Sequence, residues 1–338
     1  MTDSDTKTLS LALYLYMCQN IVGTENHVKT MRLINTVRDN FTSGKEFIII
    51  TSGSFGEGLE MRGSDLDIMY LEKVLKVYEK IKTYNSDDVY LTMETDDVKV
   101  KITQLQIEHM DPLFLSILCE ERNGKHYFSS ALFKQETLRK TSGVLHGPCL
   151  SNKTGTYDQA LCLHCTTWIS QASQWITRSS NAWPSYNVKQ SILKHGVLFV
   201  PIGVKGSPKE DIEWRISFSV GEKFLINTFT HTQLICYALL KILLKDVLET
   251  YTECRELLCS YFLKTIIFWI SEELPQSIWK PKNLINCFMR CFSRLIYNVE
   301  YSVCLHYFIQ ENNMFENKIE GRAREILLEK LYNLHSYG

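Results

Sequence analysis

Residues 51–71 read TSGSFGEGLEMRGSDLDIMYL, and this stretch decides our interpretation of the fold. A Gly53-Ser54 turn is followed by Asp65-Leu66-Asp67, in which one apolar residue separates two aspartates. Residues i and i+2 of a strand point to the same face, so Asp65 and Asp67 are predicted to lie side by side. Two like charges this close repel each other, and a divalent cation relieves the repulsion. The pattern therefore predicts a carboxylate pair that binds Mg²⁺, as phosphoryl-transfer enzymes require.

The segment before the aspartates supports this interpretation. Residues 46–51 form a short apolar run that is typical of a buried strand. Gly53 allows a turn in which the backbone approaches a ligand closely, and Ser54 offers an N–H and a hydroxyl to phosphate oxygens. No Gly-Lys-Ser/Thr follows, so this is not a Walker loop. A surface hairpin with a solvated Ser-Asp turn is the plain alternative.

Composition bounds the class of protein. The 338 residues, 45% of them hydrophobic and 22% charged, suffice for one large domain or two packed lobes. A net charge of −1 excludes a strongly basic nucleic-acid binder, although a local basic face remains compatible with it.

Cysteine usage and hydropathy bear on the cellular compartment. The eleven cysteines are an odd number, and the polar opening at residues 1–5 leads us to expect no secretory leader. We therefore expect reduced thiols and a cytoplasmic or nuclear protein. No run of about 18 apolar residues occurs, so no membrane span is expected.

The pattern along the chain predicts a mixed first part and a helical second part. We predict a long N-terminal helix over 8–42 with a break near Gly23. The predicted strands are 46–51, 64–71, 89–94, 97–104, 157–164, 195–202 and 212–218, with a hairpin turn at Asp96-Asp97. Helices are predicted at 111–120, 127–139 and 168–178, and a loop over 140–156. Helices follow at 222–249, 254–273, 281–298, 299–310 and 320–335. The fold class is α+β, with domains 1–225 and 226–338 and a substrate cleft expected between them.

Phosphoryl transfer with two metal ions needs another carboxylate near the first pair. Asp158, in the predicted strand Thr156-Tyr157-Asp158-Gln159-Ala160, is the best candidate. Asp96 and Asp97 lie at a predicted hairpin tip, where aspartates are common without any catalytic role.

Two further motifs complete a pattern that resembles a known family. They are Glu213-Trp214-Arg215-Ile216-Ser217-Phe218-Ser219, followed by Glu222-Lys223, and Ser260-Tyr261-Phe262-Leu263-Lys264-Thr265. With Gly53-Ser54, Asp65-Leu66-Asp67 and Asp158, they resemble the animal cyclic GMP–AMP synthase-like receptors and the related male-abnormal (Mab-twenty-one-like) proteins. The resemblance covers nearly the full length. The Gly-Ser and Asp-x-Asp motifs are shared by many nucleotidyltransferases, whereas the later two motifs are far more specific.

The resemblance implies a nucleotidyltransferase fold, with a mixed twisted β-sheet and a long N-terminal spine helix, plus a C-terminal all-helical lobe. It implies two Mg²⁺ or Mn²⁺ ions held by Asp65, Asp67 and Asp158. The donor triphosphate would lie on Gly53 and Ser54, with Lys241 and Ser260 reaching its phosphates and Tyr261 stacking on a nucleobase. The acceptor nucleotide would contact Arg215, Ser217 and Ser219, with Glu222 nearby.

The implied activity is synthesis of a cyclic dinucleotide second messenger from ATP and GTP, in two successive attacks through one site. The implied activator is double-stranded RNA or DNA, the active state a homodimer and the process innate immune signalling. A catalytically silent nucleotide-binding or scaffold protein is the alternative, because male-abnormal proteins often keep the fold and lose the chemistry. A polymerase that extends RNA ends is a third hypothesis.

Each implied role also has a plain alternative. Tyr261 at helical spacing fits a core residue, Arg215 fits a partner of a carboxylate, and Lys241 fits a solvated or helix-capping lysine. The strand of Asp158 has one acid where the family usually has two. A zinc-binding His/Cys insertion, which some of these synthases use to grip DNA, is not found: Cys162, His164 and Cys165 in one strand cannot all point to one ion.

A surface that tracks a nucleic-acid backbone needs a row of basic residues. The candidates are Lys29, Arg32 and Arg38 on the first helix, Arg122, Lys125, Lys134, Arg139 and Lys140, and later Lys153, Arg178, Lys189 and Lys194. A scattered, solvated set of charges is the alternative, and the near-neutral total favours it.

Overall fold

The structure is a computed structural model that describes residues 2–61, 63–80, 89–95, 98–109, 117–140, 143–178 and 183–336. No helix in these ranges combines the length and the apolar character needed to cross a bilayer. All eleven cysteines are free thiols.

The α+β class predicted from the sequence is confirmed. In the order of the chain the helices are α1 (Asp3–Asn20), α2 (Glu25–Thr42), α3 (Gly53–Gly56), α4 (Ser130–Lys140), α5 (Ser173–Thr177), α6 (Tyr186–His195), α7 (Ser219–Asn227), α8 (His231–Ile242), α9 (Ser260–Glu273), α10 (Leu284–Glu300) and α11 (Gly321–Ser336). The strands are β1 (Phe47–Ser52), β2 (Leu66–Tyr78), β3 (Val89–Glu94), β4 (Ile102–His109), β5 (Cys119–Arg122), β6 (Lys125–Phe128), β7 (Val144–His146), β8 (Cys149–Ser151), β9 (Tyr157–Cys165), β10 (Val197–Val200) and β11 (Glu213–Ser217).

The strands form one mixed sheet. Its main order is β1-β2-β3-β4-β11-β10-β9-β8-β7, and β6 joins β5 to β4. The long strand β2 also pairs with β9, and its pairings with β9 and β3 are parallel, whereas β1 pairs with it in the antiparallel sense. β2 therefore pairs with three other strands and is central in the sheet. It begins immediately after Asp65.

The chain divides into two compact units. The sheet unit comprises Val28–Ser173 and Lys189–Phe224, and the helical unit comprises Met1–His27, Gln174–Val188 and Leu225–Gly338. The division into domains 1–225 and 226–338 stays a prediction, and in these units α1 belongs with the helices α8 to α11.

Each unit has its own core. In the sheet unit, buried apolar residues of β2, β9 and β10, including Met69, Cys162 and Leu198, pack together. In the helical unit, Arg178 forms a two-pronged pair with Glu272 through hydrogen bonds of 2.7 Å, and its guanidinium lies 4.2 Å from the centre of the Trp269 ring. Arg178 is thus a largely buried residue with a structural role.

The first predicted helix is two helices. Gly23 between α1 and α2 has a φ of +87°, a conformation that L side chains rarely adopt, so the chain turns there as predicted.

The distribution of polar and apolar residues on α2 is the reverse of that on an ordinary surface helix. Its buried residues include Asn35 and Asp39, whereas Phe41 is 86% exposed and Leu33 is 63% exposed. Apolar periodicity normally marks the face that packs on a core. In α2 the inward face is polar, and its partners are described with the site below.

Several predicted elements were wrong. Residues 140–156, predicted as loop, contain the hairpin of β7 and β8, and the helix α6 was not predicted. The predicted helix over 111–120 ends in the strand β5, and its first residues, like Asp96-Asp97, lie outside the described residues. The helix over 127–139 begins at Ser130 because Lys125–Phe128 pairs as β6.

The helical unit also departs from prediction at two points. The helix predicted over 222–249 is interrupted by Thr230, which caps α8: its hydroxyl accepts from the N–H of Gln233 while Gln233 Oε1 accepts from the N–H of Thr230. No helix occupies 301–320, where one was predicted over 299–310, because α10 ends at Glu300 and Ser302 takes a φ of +51°.

Candidate active site

Three carboxylates meet at the start of β2 and β9. Asp67 of β2 lies directly opposite Asp158 of β9 in the parallel register, and Asp65 immediately precedes β2. One carboxylate oxygen from each of the three residues lies within 4.8 Å of the others. Registered residues of parallel strands share a face, so the predicted i, i+2 pair and the third acid converge as the sequence indicated.

The turn at Gly53 passes directly over Asp67. Gly53 has a φ of +59°, and a β-carbon built on it would lie 1.7 Å from Asp67 Oδ2. Any side chain at this position would overlap the Asp67 carboxylate in its present place, and the positive φ also favours glycine. Gly53 begins α3, and Ser54 follows it, so the backbone at the start of this short helix lies beside Asp67. A glycine turn of this kind allows the backbone to approach a neighbouring group closely.

Thr51, at the end of β1, is held by a buried polar network. Asp39 of α2 accepts from the N–H of Thr51 at 2.8 Å and from its hydroxyl at 2.5 Å. Lys223 of α7 donates to the carbonyl of Thr51 at 2.8 Å and lies 3.7 Å from Asp39 Oδ2. Burial lowers the pKa of Lys223, and Asp39 opposes this shift by stabilising the ammonium. The strand end that precedes Gly53 is therefore fixed on both its N–H and its carbonyl.

The same face of α2 holds the residues after Gly53. Asn35 donates to the carbonyl of Phe55 at 3.1 Å, and Arg32 donates to the carbonyl of Glu57 at 2.8 Å. Arg38 links the network around Thr51 to the contacts of Asn35, because its guanidinium donates to both Asn35 and Thr51 at 3.0 Å. The polar inward face of α2 is thus directed at the Gly-Ser turn. Arg32 and Arg38, two of the candidates for a basic surface, are thus engaged in hydrogen bonds inside the protein.

The hairpin of β7 and β8 adds residues that the sequence interpretation missed. Ser151 lies opposite Asp158 in the antiparallel register, and its hydroxyl donates to Asp158 Oδ1 at 2.5 Å. His146 is exposed, and its Nδ1 lies 4.0 Å from Asp158 Oδ2. Burial raises the pKa of the Cys149 thiol to about 12, with further contributions from Asp158 and the other two acids. The only sequence signal for this hairpin is a weak one, the turn residues Gly147 and Pro148 between short apolar runs.

The predicted acceptor-site residues lie on β11 and the start of α7. Arg215 is exposed on β11, and it is close enough to lower the pKa of Cys149, opposing the three acids. The Ser219 hydroxyl contacts the sulfur of Met69 at 3.0 Å, and the Ser219 N–H donates to Ser217 Oγ at 3.4 Å. Glu222 is buried on α7. Their role in binding a nucleotide stays a prediction.

The three remaining predicted residues belong to the helical unit. Lys241 is buried at the end of α8, with its ammonium 5.8 Å from the centre of the Tyr237 ring. Ser260 begins α9, and Tyr261 follows it, half-buried, with its hydroxyl 2.7 Å from His306 Nε2.

The donor set fits a hard divalent cation. Three carboxylates and no sulfur or imidazole make up the only group of three or more candidate ligands found within the described ranges. Mg²⁺ and Mn²⁺ prefer oxygen ligands of this kind, and Mg²⁺ is usually held by one or two carboxylates plus substrate phosphates. Asp65, Asp67 and Asp158 are therefore the residues that could hold the metal.

Comparison with known proteins finds two family domains in this chain. Residues 155–228 match the Mab-21 protein nucleotidyltransferase domain, and residues 233–333 match the Mab-21 protein HhH/H2TH-like domain. The first match includes Asp158 but begins after Gly53 and the Asp65-Asp67 pair. For those residues the link to the family rests on the motif and on the geometry given above.

A curated relative, cyclic GMP-AMP synthase of Mus musculus, is 28% identical over 164 residues, which is 44% of this chain. The matched region spans 32% of that relative's length. The two domain matches together cover just over half of the chain and lie in the order that the resemblance predicts. The chain therefore belongs to the Mab-21 family and carries its nucleotidyltransferase domain followed by its helical domain.

Proposed function

We propose that this protein is an active nucleotidyltransferase that joins two ribonucleotides, ATP and GTP, into a cyclic dinucleotide. One observation carries the proposal: Asp65, Asp67 and Asp158 converge to within 4.8 Å from separate segments of chain, beneath the Gly53 turn. Like charges gathered this closely are costly unless a cation neutralises them. A protein with only a scaffold role has no need to bring them together.

The residues of the sheet unit have proposed roles that follow from their positions. The N–H groups at Gly53 and Ser54 bind the donor triphosphate, and Arg215, Ser217 and Ser219 orient the acceptor. Asp158, held by Ser151, orients the acceptor hydroxyl toward the α-phosphate, from which pyrophosphate leaves. When bound to the three acids, Mg²⁺ or Mn²⁺ supplies charge neutralisation for the triphosphate. Most of the rate acceleration then comes from positioning and electrostatics. For Lys241, Ser260 and Tyr261, the contacts with phosphates and base that the resemblance implies remain part of the proposal.

The silent alternative and the polymerase alternative predict different products. The purified protein should be incubated with ATP, GTP, CTP and UTP and with Mg²⁺ or Mn²⁺, in the presence and absence of duplex RNA and duplex DNA. Mass spectrometry of the products separates a cyclic dinucleotide from linear oligomers. No product under any of these conditions from a folded protein would count against the enzyme proposal, and oligomers alone would favour the polymerase.

The matched control separates catalysis from folding. Asp67→Asn removes one charge of the triad and should reduce turnover by about 10³-fold or more, since several groups of such a site act as a unit. Asp246→Asn makes the same chemical change at an exposed position and should leave turnover unchanged. Equal losses in both variants would show that the change acts through stability and not through the site.

Activation by double-stranded RNA or DNA, a homodimeric active state, a cytoplasmic location and a role in innate immunity remain proposals that come from the resemblance. The basic residues give them little support. Arg122, Lys125 and Arg139 form ion pairs with Glu120, Glu94 and Glu136. The reactions with and without duplex, repeated at two salt concentrations, test activation directly, because binding to phosphates weakens steeply with salt.

A further inference from the structure

A completely buried histidine contacts the tyrosine that is proposed to hold a nucleobase. His306 is 0% exposed, and its Nε2 lies 2.7 Å from the hydroxyl oxygen of Tyr261. The two rings are stacked, with centroids 5.9 Å apart and an interplanar angle of 29°. A buried imidazole needs partners for both ring nitrogens. The partners at the other nitrogen determine the direction of the bond to Tyr261.

The irregular segment after α10 brings His306 to this position. The side chain of Asn313 accepts from the N–H of Cys304 at 2.8 Å and donates to the carbonyl of Ser302 at 2.9 Å. The N–H of His306 donates to the carbonyl of Asn312 at 2.9 Å. These bonds replace the helix that the sequence predicted over 299–310, and they hold the backbone of His306 against the helical core.

The backbone around His306 fixes its tautomer. Nδ1 accepts from the N–H of Phe308 at 3.2 Å and from the N–H of Ile309 at 3.1 Å. A ring nitrogen that accepts two hydrogen bonds carries a lone pair and no proton. The proton of the neutral imidazole is therefore on Nε2, and this N–H donates to the Tyr261 oxygen. Since that oxygen accepts from His306, the hydroxyl proton of Tyr261 is directed elsewhere.

We propose that His306 is a positioning residue for nucleotide binding, which holds the Tyr261 ring as a platform for a purine base and keeps its hydroxyl as a donor. The inference rests on the proposed function. Tyr261 is the second residue of α9, and the side chain of such a residue has few neighbours within its own helix to hold it. An anchored hydroxyl fixes the tilt of the ring, and a preorganised ring stacks on a base without paying the entropy of ordering.

The test separates binding of the base from binding of the phosphates. Dissociation constants for ATP and for ribose 5′-triphosphate, which lacks the base, should be measured by equilibrium dialysis with Mg²⁺. We expect Tyr261→Phe and His306→Leu each to weaken ATP binding by about 5- to 20-fold, which is the lower part of the range for stacking of a base on an aromatic side chain, because the ring itself is retained or only loosened. Ribose 5′-triphosphate binding should change by less than about twofold in the same variants.

Two further variants test the hydrogen bond itself. His306→Gln retains an N–H donor in reach of Tyr261 and should keep ATP binding within about threefold of the unmodified protein. The double variant Tyr261→Phe with His306→Leu should bind ATP no more weakly than the weaker single variant, because both changes remove one interaction. Additive losses, or equal losses for ATP and for ribose 5′-triphosphate, would overturn the positioning role.

A spectroscopic measurement keeps the inference testable where His306→Leu does not fold. In the unmodified protein, ¹⁵N NMR of labelled histidine, assigned by the signal missing from His306→Gln, should show a protonated Nε2 and a bare Nδ1. The opposite tautomer would overturn the proposal. If the unmodified protein binds neither ATP nor ribose 5′-triphosphate, the proposed function itself fails, and the NMR result still reports separately on the His306–Tyr261 bond.

Discussion

The α-carbon of Gly53 approaches the carboxylate of Asp67 so closely that a β-carbon there would lie 1.7 Å from Asp67 Oδ2. The first prediction follows from this contact. Gly53→Ala should displace Asp67 and reduce turnover by about 10²-fold or more, because a small misplacement of reacting groups is costly. The measurement is the steady-state rate of product formation.

Gly63 supplies the matched control for that change. It has a φ of +79°, and a β-carbon on it would have no neighbour within 4 Å. Gly63→Ala therefore introduces a similar backbone strain of about 1–2 kcal/mol without touching the acids. It should destabilise the protein and leave turnover nearly unchanged. A Gly53→Ala variant as active as Gly63→Ala would contradict the role of this contact.

The second prediction concerns the buried charge of Lys223. Asp39→Asn removes the anion beside Lys223 and weakens both hydrogen bonds to Thr51. Breaking a buried pair in this way costs about 3–5 kcal/mol. Urea unfolding should show a loss of this order, whereas Glu249→Gln, which breaks the exposed pair of Glu249 with Lys245, should cost less than about 1 kcal/mol. Similar losses in the two variants would show that Asp39 is not a structural anchor.

The third prediction concerns the pH dependence of stability. Burial lowers the pKa of His195 to about 4, and the neighbouring His164, whose pKa burial also lowers, adds to the shift. The folded protein keeps His195 neutral while the unfolded chain takes up a proton below its ordinary pKa of about 6.5. Stability is thus fully present above pH 6.5 and falls by about 1 kcal/mol per pH unit between pH 6.5 and 4.

Urea midpoints at pH 7, 6 and 5 check this expectation. His195→Phe removes the titrating group and retains an aromatic ring beside Phe224, which packs edge-on to His195. The midpoint of the variant should fall less steeply toward pH 5 than that of the unmodified protein. Parallel pH profiles would mean that His195 is protonated equally in the folded and the unfolded protein.

The fourth prediction concerns thiol reactivity. Cys259 is exposed at the start of α9, whereas burial and the three acids raise the pKa of Cys149 to about 12. Iodoacetamide reacts with thiolates, so at pH 8 Cys259 should be alkylated well before Cys149. Peptide mass spectrometry over time gives both rates. Faster labelling of Cys149 in the folded protein would contradict its placement beside the acids.

Asp65 and Asp67 could be predicted as a pair from the sequence because their geometry is local. The i, i+2 spacing of Asp65 and Asp67 fixes a common face, and a strand that carries a third acid has few ways to lie beside them. The support of these acids could not be predicted. Ser151 and the hairpin of β7 and β8 lie in a stretch rich in Gly, Ser and Asn, and each of these two strands has only three residues. β8 is stabilised by pairing with β9, and β7 by pairing with β8, and hydrophobic periodicity does not report such pairing.

Periodicity also misassigned two other features, for different reasons. For α2 it located the helix but does not report the polar inward face, because periodicity assumes an apolar interior and the interior here is the backbone of a polar turn. In residues 299–310 several apolar residues, such as Phe308 and Ile309, are buried, but Ser302 leaves the helical conformation. The side chain of Asn313 forms hydrogen bonds with the backbone of Ser302 and Cys304 instead. Tertiary bonds of this kind are distant in sequence and leave no local signal.

The polar inward face of α2 makes the position of this helix discrete. Apolar surfaces tolerate sliding, but a hydrogen bond weakens steeply once its angle and length depart from their optimum. A slip of one residue, about 1.5 Å along the axis, would break the bonds of Arg32, Asn35 and Asp39 together. The turn at Gly53 is therefore held by all of these hydrogen bonds or by none of them. Substitutions on the outer face of α2 do not touch these bonds and should leave the turn in place.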